Sequence, residues 1–417
     1  MKSQLGAGAI VLVAAASSAD ALDVNDQFSI VGIIAAAGQC QEVSALLPPE
    51  DYGRSIDDTD SAAYSSDLDQ FGNECRGGLP VHIELDYHPT DNDQFFFALG
   101  WAVGNGLNEV SPFRLAPWAA DLEDNVEDIN GSSRDYLLQA WYRHRFDLQG
   151  GNSIAGTFGI IDSTAYLDTN EYANDKLNQF MNEAFVNAGN YSLPSYEAGV
   201  ALEARFGSVS INAVGMNIYE NDEGNNYNFW GVQIGWHPEL EIGAGNYRVN
   251  ISGTSSKFAA PYTVVESDPE TTLDEHLVLV DDQELVEVPG DEQALLGWGL
   301  SFDQAIGESL GLFLRLGWQN TDAAVDYEAK YSGGVNITGN RWRRPEDNIG
   351  AGYAYLEGGN TDVKRTNVFE VYYRAVLNDH LAVTADVQYM DDDLEQLDPL
   401  QEDPEGWIFA LRATASF

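Results

Sequence analysis

Short segments of the chain alternate apolar and polar residues with a period of two, which is the spacing of side chains on the two faces of a β-strand. The last segment shows the alternation most clearly, because Trp407 and Phe409 fall on one face and Arg412 falls on the other. The segments 79–87 and 381–389 alternate in the same way. One face suits lipid and the other suits water, so the pattern predicts the strands of a transmembrane β-barrel.

Sixteen segments fit this description, and a bacterial single-chain barrel with both chain ends in the periplasm requires an even number. The predicted fold is therefore an all-β, antiparallel transmembrane barrel of about 16 strands. Its strands are expected near 27–37, 79–87, 94–104, 134–147, 153–162, 196–206, 208–219, 228–237, 246–257, 294–303, 309–319, 332–341, 348–356, 366–377, 381–389 and 407–417.

The connections alternate between long and short, as expected for a barrel with long extracellular loops on one side and short periplasmic turns on the other. Long loops are predicted at 38–78, 105–133, 163–195, 258–293 and 391–405. Short turns are predicted around Pro89–Asp93, Gln149–Asn152, Gly207, Gln304–Glu308, Arg343–Asp347 and Asn378–His380. The turn around Pro238–Gly245 is the exception, because it is longer than a typical periplasmic turn.

The first residues have the organisation of a secretory signal peptide, with one positive charge, an apolar stretch and the small-x-small site Ala19-Asp20-Ala21. We therefore expect residues 1–21 to be a signal peptide and residues 22–417 to form a single barrel domain. No later stretch approaches the roughly 18 to 20 apolar residues that a transmembrane helix needs. A strand that ends in Phe417 resembles the C-terminal signature read by the outer-membrane assembly machinery. These features predict a bacterial outer-membrane location, in contact with outer-membrane lipids.

The chain is strongly acidic, with a formal net charge of -47. This excess excludes nucleic acid as a partner, because a polyanion is bound by a basic surface. The loop 258–293 carries eleven Asp or Glu, the loop 391–405 carries eight, and neither carries Lys or Arg. Such blocks are typical of a solvated surface, but they are also compatible with an acidic vestibule or with bound Ca²⁺ or other divalent cations that bridge neighbouring molecules.

The two cysteines, Cys40 and Cys75, both fall between the first two predicted strands. Outside the cytoplasm such a pair is expected to form a disulfide, here across a long surface loop. Metal binding by two thiols is less favoured, because no histidine cluster accompanies them. We predict no metal site at the cysteines and no cofactor.

Apolar residues recur at a helix-like spacing between Asp168 and Leu193, and Asn174 or Asp175 could cap the start of a short helix. A helix inside an extracellular loop has few places to bury an apolar face. The inner wall of the barrel is one such place, and a helix there would narrow the channel. The alternative is a helix that lies on the outer rim.

The functional residues of a pore are those that face its water, so ionisable residues on the inward strand faces are the candidates. They could form a charged eyelet for polar solutes, or they could be ion pairs that tie the inner wall together. Trp141, on an inward face, could also stack against a sugar ring. The predicted pore-lining residues are Trp141, Arg143, Arg145, Glu197, Glu203, Arg205, Glu370, Arg374, Asp386 and Arg412.

Enzyme motifs do not account for the chain. Gly307-Glu308-Ser309-Leu310-Gly311 matches the nucleophile pattern of α/β-hydrolases, which places the serine on a sharp strand-to-helix turn. Here the following residues alternate as a strand. No histidine pair has a metal-protease spacing, and no phosphate-binding loop occurs. We therefore predict that the protein is not an enzyme.

Several segments resemble the carbohydrate-selective outer-membrane porin family. Residues 159–202, GIIDSTAYLDTNEYANDKLNQFMNEAFVNAGNYSLPSYEAGVAL, are similar to an acidic segment of that family, and residues 344–350 resemble its R-P-x-D-x-x-G turn. Residues 112–146 resemble a branch of these porins. The resemblance implies a barrel of 16 strands, compatible with a homotrimer, that admits glucose or related sugars by passive diffusion. It further implies an inward loop that shapes the constriction and contains Asp168, Asn170, Asn174, Asp175 and Asn187.

The sequence thus predicts an outer-membrane porin for passive diffusion of small polar solutes, with carbohydrates favoured. The acidic loops and the cysteine pair depart from the resembled family and leave two alternatives open. One is a general diffusion porin that prefers cations. The other is a structural outer-membrane protein whose acidic loops bind cations.

Overall fold

The computed structural model describes residues 22–47, 69–221, 223–261, 263–266, 276–280, 283–288, 291–396 and 399–417. The predicted signal peptide at 1–21 lies outside the described residues, as does much of the acidic loop 258–293. No helix in these ranges is long and apolar enough to cross a membrane.

Sixteen antiparallel strands close into a barrel, as the alternation predicts. Each strand pairs with its neighbours in chain order, and the first strand pairs with the last, for example at Ile33 and Ser416. The strands are β1 Phe28–Leu47, β2 Val81–Thr90, β3 Asp93–Trp101, β4 Leu137–Asp147, β5 Ser153–Ile161, β6 Glu197–Phe206, β7 Val209–Ile218, β8 Tyr227–Trp236, β9 Gly243–Thr254, β10 Leu296–Ile306, β11 Leu310–Gln319, β12 Tyr327–Thr338, β13 Asn348–Gly358, β14 Val363–Asn378, β15 Leu381–Leu394 and β16 Glu402–Ser416.

Strand β1 extends ten residues beyond the predicted end at residue 37. Its second half pairs with β16 on one side and with the short strands Asp69–Phe71 and Glu74–Gly78 on the other. Part of the predicted loop 38–78 is therefore sheet, because its backbone groups find hydrogen-bond partners on both sides. The further short strands are Leu22–Asn25, Glu239–Leu240, Thr263–Glu266, His276–Val280 and Gln283–Val288, of which the last three form a separate sheet between β9 and β10.

The predicted disulfide is confirmed. Cys40 of β1 and Cys75 of the short strand Glu74–Gly78 lie opposite each other in the antiparallel register and are bonded. The bond joins the wall of the barrel to the segment that leads into β2.

The two faces of the strands separate as predicted. On β16, Phe409 is 43% exposed on the outer surface, whereas Arg412 is fully buried on the inner one. Aromatic side chains on the outer face stack between neighbouring strands, as Trp298 and Trp318 do at 4.2 Å between ring centroids. In a membrane these aromatic and aliphatic side chains contact lipid, while polar groups turn toward the lumen.

Tight turns join the strand ends on one side of the barrel. Gly207 has a φ of 59° between β6 and β7, and Gly307 has a φ of 60° between β10 and β11, a backbone region that favours glycine. Ser309 therefore follows a strand-to-strand turn and precedes β11. The hydrolase motif lacks the strand-to-helix turn that its chemistry needs.

Two long loops fold into the barrel and fill much of its lumen. We name residues 102–136 loop L2 and residues 162–196 loop L3. L2 contains helix α1, Glu123–Val126, and L3 contains helix α2, Glu183–Val186. Further single turns of 3₁₀ helix occur at Ile129–Gly131, Gln149–Gly151, Ser163–Ala165 and Gly339–Trp342.

Helix α2 is shorter than the spacing of apolar residues suggests, and the capping prediction is wrong. Asn182 caps the helix, because its side chain accepts a hydrogen bond from the Ala184 N–H, so neither Asn174 nor Asp175 has this role. The helix packs inside the barrel, where Phe180 and Phe185 contact Phe313 of β11. It therefore does not lie on the outer rim.

Candidate functional site

Loop L3 is fixed across the lumen by buried charges of the wall, of which Arg315 on β11 makes the most contacts. Its guanidinium donates to the carbonyl oxygens of Asp168 at 2.9 Å, Ala173 at 2.8 Å and Phe185 at 2.9 Å. Its Nε also lies 2.9 Å from the carboxylate of Asp168, and both side chains are almost fully buried. A buried charge is tolerated only when it is paired and hydrogen-bonded. Arg315 therefore holds three separate points of L3 against β11.

Arg412 on β16 holds L3 at a second part of the wall, five strands from Arg315. It donates to the carbonyl oxygens of Lys176 at 3.0 Å and Gln179 at 2.8 Å. The neighbouring Thr414 hydroxyl donates to the carbonyl oxygen of Leu177 at 3.0 Å. These bonds fix the backbone of residues 176–179, which are not helical, to the inner face of β16.

Glu370 on β14 anchors the next part of the loop through backbone N–H groups. Its carboxylate accepts from Met181 N at 2.6 Å and from Asn182 N at 3.0 Å. On β15, Gln388 accepts from the Asn182 amide at 2.9 Å and donates to Asp386 at 3.0 Å. Glu370, Asp386 and Arg412 are thus buried beneath L3. Glu370 and Arg412 bind the loop directly and Asp386 is linked to it through Gln388, although the sequence placed all three at the channel water.

Four of the remaining predicted pore-lining residues, Trp141, Arg143, Glu203 and Arg205, lie on the inner wall of β4 and β6. Arg143 forms a bidentate pair with Glu203, at 2.9 and 3.2 Å, with both side chains mostly buried. Trp141 lies beside this pair, stacks on Phe96 with ring centroids 4.8 Å apart, and donates to Gln139 at 3.1 Å. Arg205 follows Glu203 on the same inward face.

Three predicted residues are not brought into this group. Glu197 pairs with Arg134 of L2 at 3.5 Å. Arg145 pairs with Asp147 at 3.0 Å, close to the turn that follows β4. Arg374 on β14 is half-buried, and in the described part of the chain no carboxylate lies within 4 Å of its guanidinium.

All five residues that the resemblance assigns to the constriction belong to L3, and most fix the loop. Asn170 donates to Ser301 and to the Phe302 carbonyl, both at 3.2 Å. Asp175 accepts from the N–H groups of Leu177 at 2.9 Å and Asn178 at 3.0 Å. The other three contact the wall cations, because Asp168 and Asn174 bind Arg315 and the carbonyl of Asn187 binds Lys330.

Among the cations that anchor L3, sequence reasoning missed Arg315 and Lys330. Both sit at inward positions of their strands and both are buried. Arg315 is flanked by Leu314 and Leu316, whose outward alternation marks position 315 as inward. That signal could have identified it. Its partners could not be identified, because they depend on the path of L3.

Asp121 joins the wall to both loops. Its carboxylate lies 2.6 Å from Lys176 of L3 and 3.3 Å from His82 of β2, and it accepts from the Tyr196 hydroxyl at 2.9 Å. Burial alone would raise the pKa of this carboxyl, but the Lys176 ammonium and the His82 side chain outweigh it and hold the pKa well below its usual range. Asp121 is therefore ionised at neutral pH and keeps L2 attached to L3.

The anchors of L3 are distributed unevenly around the barrel. L3 has hydrogen bonds to wall residues on β7, β8 and β9 as well as on β10 to β12 and β14 to β16. The inner faces of β2, β4 and β6 carry Glu84, Trp141 and the Arg143–Glu203 pair. In the described part of the chain, the hydrogen bonds from L3 to the wall thus fall on strands between β7 and β16, and the polar inner faces of β2, β4 and β6 carry none of these anchors.

Comparisons with known proteins agree with this architecture. Residues 48–417 match the model of the family described as "Carbohydrate-selective porin, OprB family". A protein of Aquifex aeolicus (strain VF5), described as uncharacterized, is 30% identical over 324 residues, which cover 76% of this chain and 85% of that protein. The chain is also similar to two solved structures. One is Pseudomonas putida OprB at high pH, with 14% identity, a TM-score of 0.64 and 94% of each chain covered. The other is the outer-membrane channel DcaP of Acinetobacter baumannii, with 8% identity, a TM-score of 0.53 and coverage of 94% of this chain and 98% of that one.

The family match spans almost the whole described barrel, and the structural neighbours have the same fold. The protein is an outer-membrane channel for small solutes, located in the bacterial outer membrane. By its closed barrel, its inward loop and its matched sequence, the chain belongs to the carbohydrate-selective porin family called OprB.

Proposed function

We propose that this porin admits small neutral carbohydrates by passive diffusion, through a gap between L3 and the inner wall of β2 to β6. The observation that carries the proposal is that, in the described structure, the hydrogen bonds of L3 to the wall fall on strands between β7 and β16 and not on β2 to β6. Arg315, Glu370 and Arg412 hold the loop against β11, β14 and β16. The polar side chains of β2 to β6 are then the ones left to face a passing solute.

The chemistry of that wall suits a hydroxylated solute. The Arg143–Glu203 pair presents hydrogen-bond donors and acceptors side by side with no net charge. A sugar hydroxyl can both donate and accept, so it can replace water at such a pair while the solute passes. Glu84 and Arg205 would extend this polar track along the wall. Trp141 contributes an aromatic ring beside it, although its stacking on Phe96 leaves less of the ring for a sugar.

A liposome-swelling assay tests the proposal with purified protein. We expect swelling in glucose and in disaccharides, at rates that fall as the sugar becomes larger. Arg143→Ala should alter these rates, because it leaves Glu203 without its partner. Arg145→Ala is the matched control, since it removes an arginine of the same strand that lies near the turn. Absence of swelling in every sugar would refute the proposal.

A second candidate function, a preference for cations, is favoured by the charge of L2. This loop holds seven Asp or Glu against two Arg, and it folds into the barrel beside L3. Fixed negative charge raises the local concentration of cations and lowers that of anions. Reversal potentials in a KCl gradient would measure the preference. Equal permeabilities of K⁺ and Cl⁻ would contradict it.

The proposal includes no catalytic step and no cofactor. It also includes export by the segment 1–21 and insertion among outer-membrane lipids, with a homotrimer as the expected assembly. Divalent cations on the acidic loops 258–293 and 391–405 remain a separate hypothesis. Within the described residues, no group of three or more His, Cys, Asp or Glu is placed to hold a metal ion.

A further inference from the structure

The turn between strands β12 and β13, residues 339–347, carries three of the 20 Lys and Arg residues of the chain, Arg341, Arg343 and Arg344. It lies on the side of the short turns, which is the periplasmic side. The other six turns on that side contain five Asp or Glu and no Lys or Arg; they are residues 91–92, 148–152, 207–208, 237–242, 307–309 and 379–380. In a chain with a net charge of -47, the turn 339–347 is thus a basic surface among acidic ones.

Asp347 fixes this turn to the neighbouring strand β14. Its carboxylate accepts hydrogen bonds from the Tyr373 hydroxyl and from the Val376 N–H, the latter at 2.9 Å, and it forms an ion pair with Arg344. The Gly339 N–H also donates to the carbonyl oxygen of Asp347, at 2.7 Å. The guanidinium of Arg344 is therefore used within the turn, and the backbone around it is held in place.

Arg341 and Arg343 are the two arginines of the turn that have no such role. Both residues are exposed, and among the described residues no carboxylate lies within 4 Å of either guanidinium. A guanidinium is always charged in proteins and offers its N–H groups in a planar fork that matches the oxygen atoms of a phosphate. The turn therefore presents two free cationic groups to a ligand outside the chain.

Trp342, which stands between these two arginines in the sequence, places the turn at the edge of the membrane. The centroid of its ring lies 6.3 Å from that of Tyr373. Tyr373 is 37% exposed on the outer face of β14, close to the periplasmic end of that strand. Trp and Tyr side chains are enriched where a bilayer meets water, at the level of the lipid headgroups. Arg341 and Arg343 therefore lie beside the headgroups of the periplasmic leaflet.

We propose that Arg341 and Arg343 bind the phosphate of an anionic phospholipid in the periplasmic leaflet of the outer membrane. The acidic turns around them repel a negatively charged headgroup, so the turn 339–347 is the point of the periplasmic rim at which charge favours contact. A lipid is favoured over a soluble acidic protein, because Trp342 and Tyr373 place the turn at the bilayer. The inference does not depend on which solute passes through the lumen.

Native mass spectrometry of the purified protein in detergent tests the site, with phosphatidylglycerol as the probe and phosphatidylcholine as the comparison lipid without net charge. The wild type should retain phosphatidylglycerol in preference to phosphatidylcholine. Arg341→Gln/Arg343→Gln should weaken the binding of phosphatidylglycerol roughly 25-fold, because each basic residue near a lipid surface contributes about fivefold. Lys364→Gln/Arg365→Gln is the matched control, since it removes two exposed basic residues at the opposite end of β14, where both pair with Asp393. This control should bind phosphatidylglycerol like the wild type.

An unchanged affinity of Arg341→Gln/Arg343→Gln for phosphatidylglycerol would overturn the proposal, as would an equal loss of affinity in the control. Equal retention of the two lipids by the wild type would also overturn it. Displacement of the lipid by inorganic phosphate would assign the arginines to free phosphate, and displacement by a soluble acidic peptide would assign them to a protein partner; either result contradicts a lipid site. Heat-modifiable migration on gels shows that each variant is a folded barrel. Should the double variant not fold, Arg341→Gln and Arg343→Gln are tested singly, each with a loss of about fivefold.

Discussion

Replacing Arg315 with Met should release L3 from the wall while the barrel itself stays closed. The guanidinium makes three hydrogen bonds to backbone carbonyls of L3 and one ion pair to Asp168. Asp168 is fully buried, so the substitution leaves an unpaired carboxylate in the interior. Removing one partner of a buried pair costs about 3–5 kcal/mol. Movement of L3 toward water relieves that cost, because the pairing of the barrel strands does not involve the loop.

The assay combines single-channel conductance with liposome swelling. We expect Arg315→Met to increase the conductance and to reduce the discrimination between mono- and disaccharides. The double variant Arg315→Met/Asp168→Asn removes both charges and should recover part of the lost thermal stability. Arg374→Met is the control, since it removes another inward arginine that has no carboxylate within 4 Å in the described structure.

The reasoning would be refuted by a variant with unchanged conductance, unchanged sugar discrimination and unchanged thermal stability. That result would show that L3 keeps its position without the guanidinium. An equal effect of Arg374→Met would also count against it, because the effect would then follow from the loss of any inward positive charge.

Three further perturbations test other contacts. Removing the disulfide with Cys40→Ser and Cys75→Ser should lower the free energy of unfolding by at most about 4 kcal/mol, which is the loop-closure value for a separation of 35 residues. Sugar permeation should stay unchanged, and altered permeation would contradict this prediction. The pKa of Asp121 is lower in the folded protein than in the unfolded chain, where it is about 3.9. The ionised carboxylate therefore stabilises the fold fully above about pH 3.9, and this stabilisation is lost only as the pH falls through the lower pKa of the folded state. Conductance should therefore hold constant from neutral pH to about pH 4, and an early rise near pH 5 would be inconsistent with the ionised carboxylate. Glu203→Gln leaves Arg143 unpaired, so the reversal potential should shift in the direction of greater anion permeability. An unchanged reversal potential would contradict this prediction.

The fold could be predicted from the sequence because its signal is local. Each strand of a transmembrane barrel meets lipid on one face, so residues such as Trp407 and Phe409 must alternate with inward residues wherever the strand crosses. Strand number, strand faces and the alternation of loops and turns all follow from that constraint. Strand ends do not, and β1 shows why, since its extension depends on pairing with residues 69–78.

The site was harder to predict because it depends on the path of two loops. The alternation correctly identified Glu370 and Arg412 as inward residues, but only the course of L3 shows that both are covered and bind backbone groups. The same course of L3 fixes residues 176–179, which are not helical, to the inner face of β16. The alternation also placed Arg143 and Glu203 on the inward faces of their strands. That they form a pair could not be predicted, because it depends on the register of β4 and β6 against β5, the strand between them.

The central claim is that L3, fixed to the strands between β7 and β16, leaves along β2 to β6 a passive passage sized for small neutral sugars. Liposome swelling with a series of neutral saccharides, from a monosaccharide to a tetrasaccharide, tests it most directly. The claim predicts rapid swelling with the monosaccharide, slower swelling with each larger sugar, and faster entry of the larger sugars in Arg315→Met. Swelling rates that do not depend on sugar size, or the absence of swelling with the monosaccharide, would contradict it.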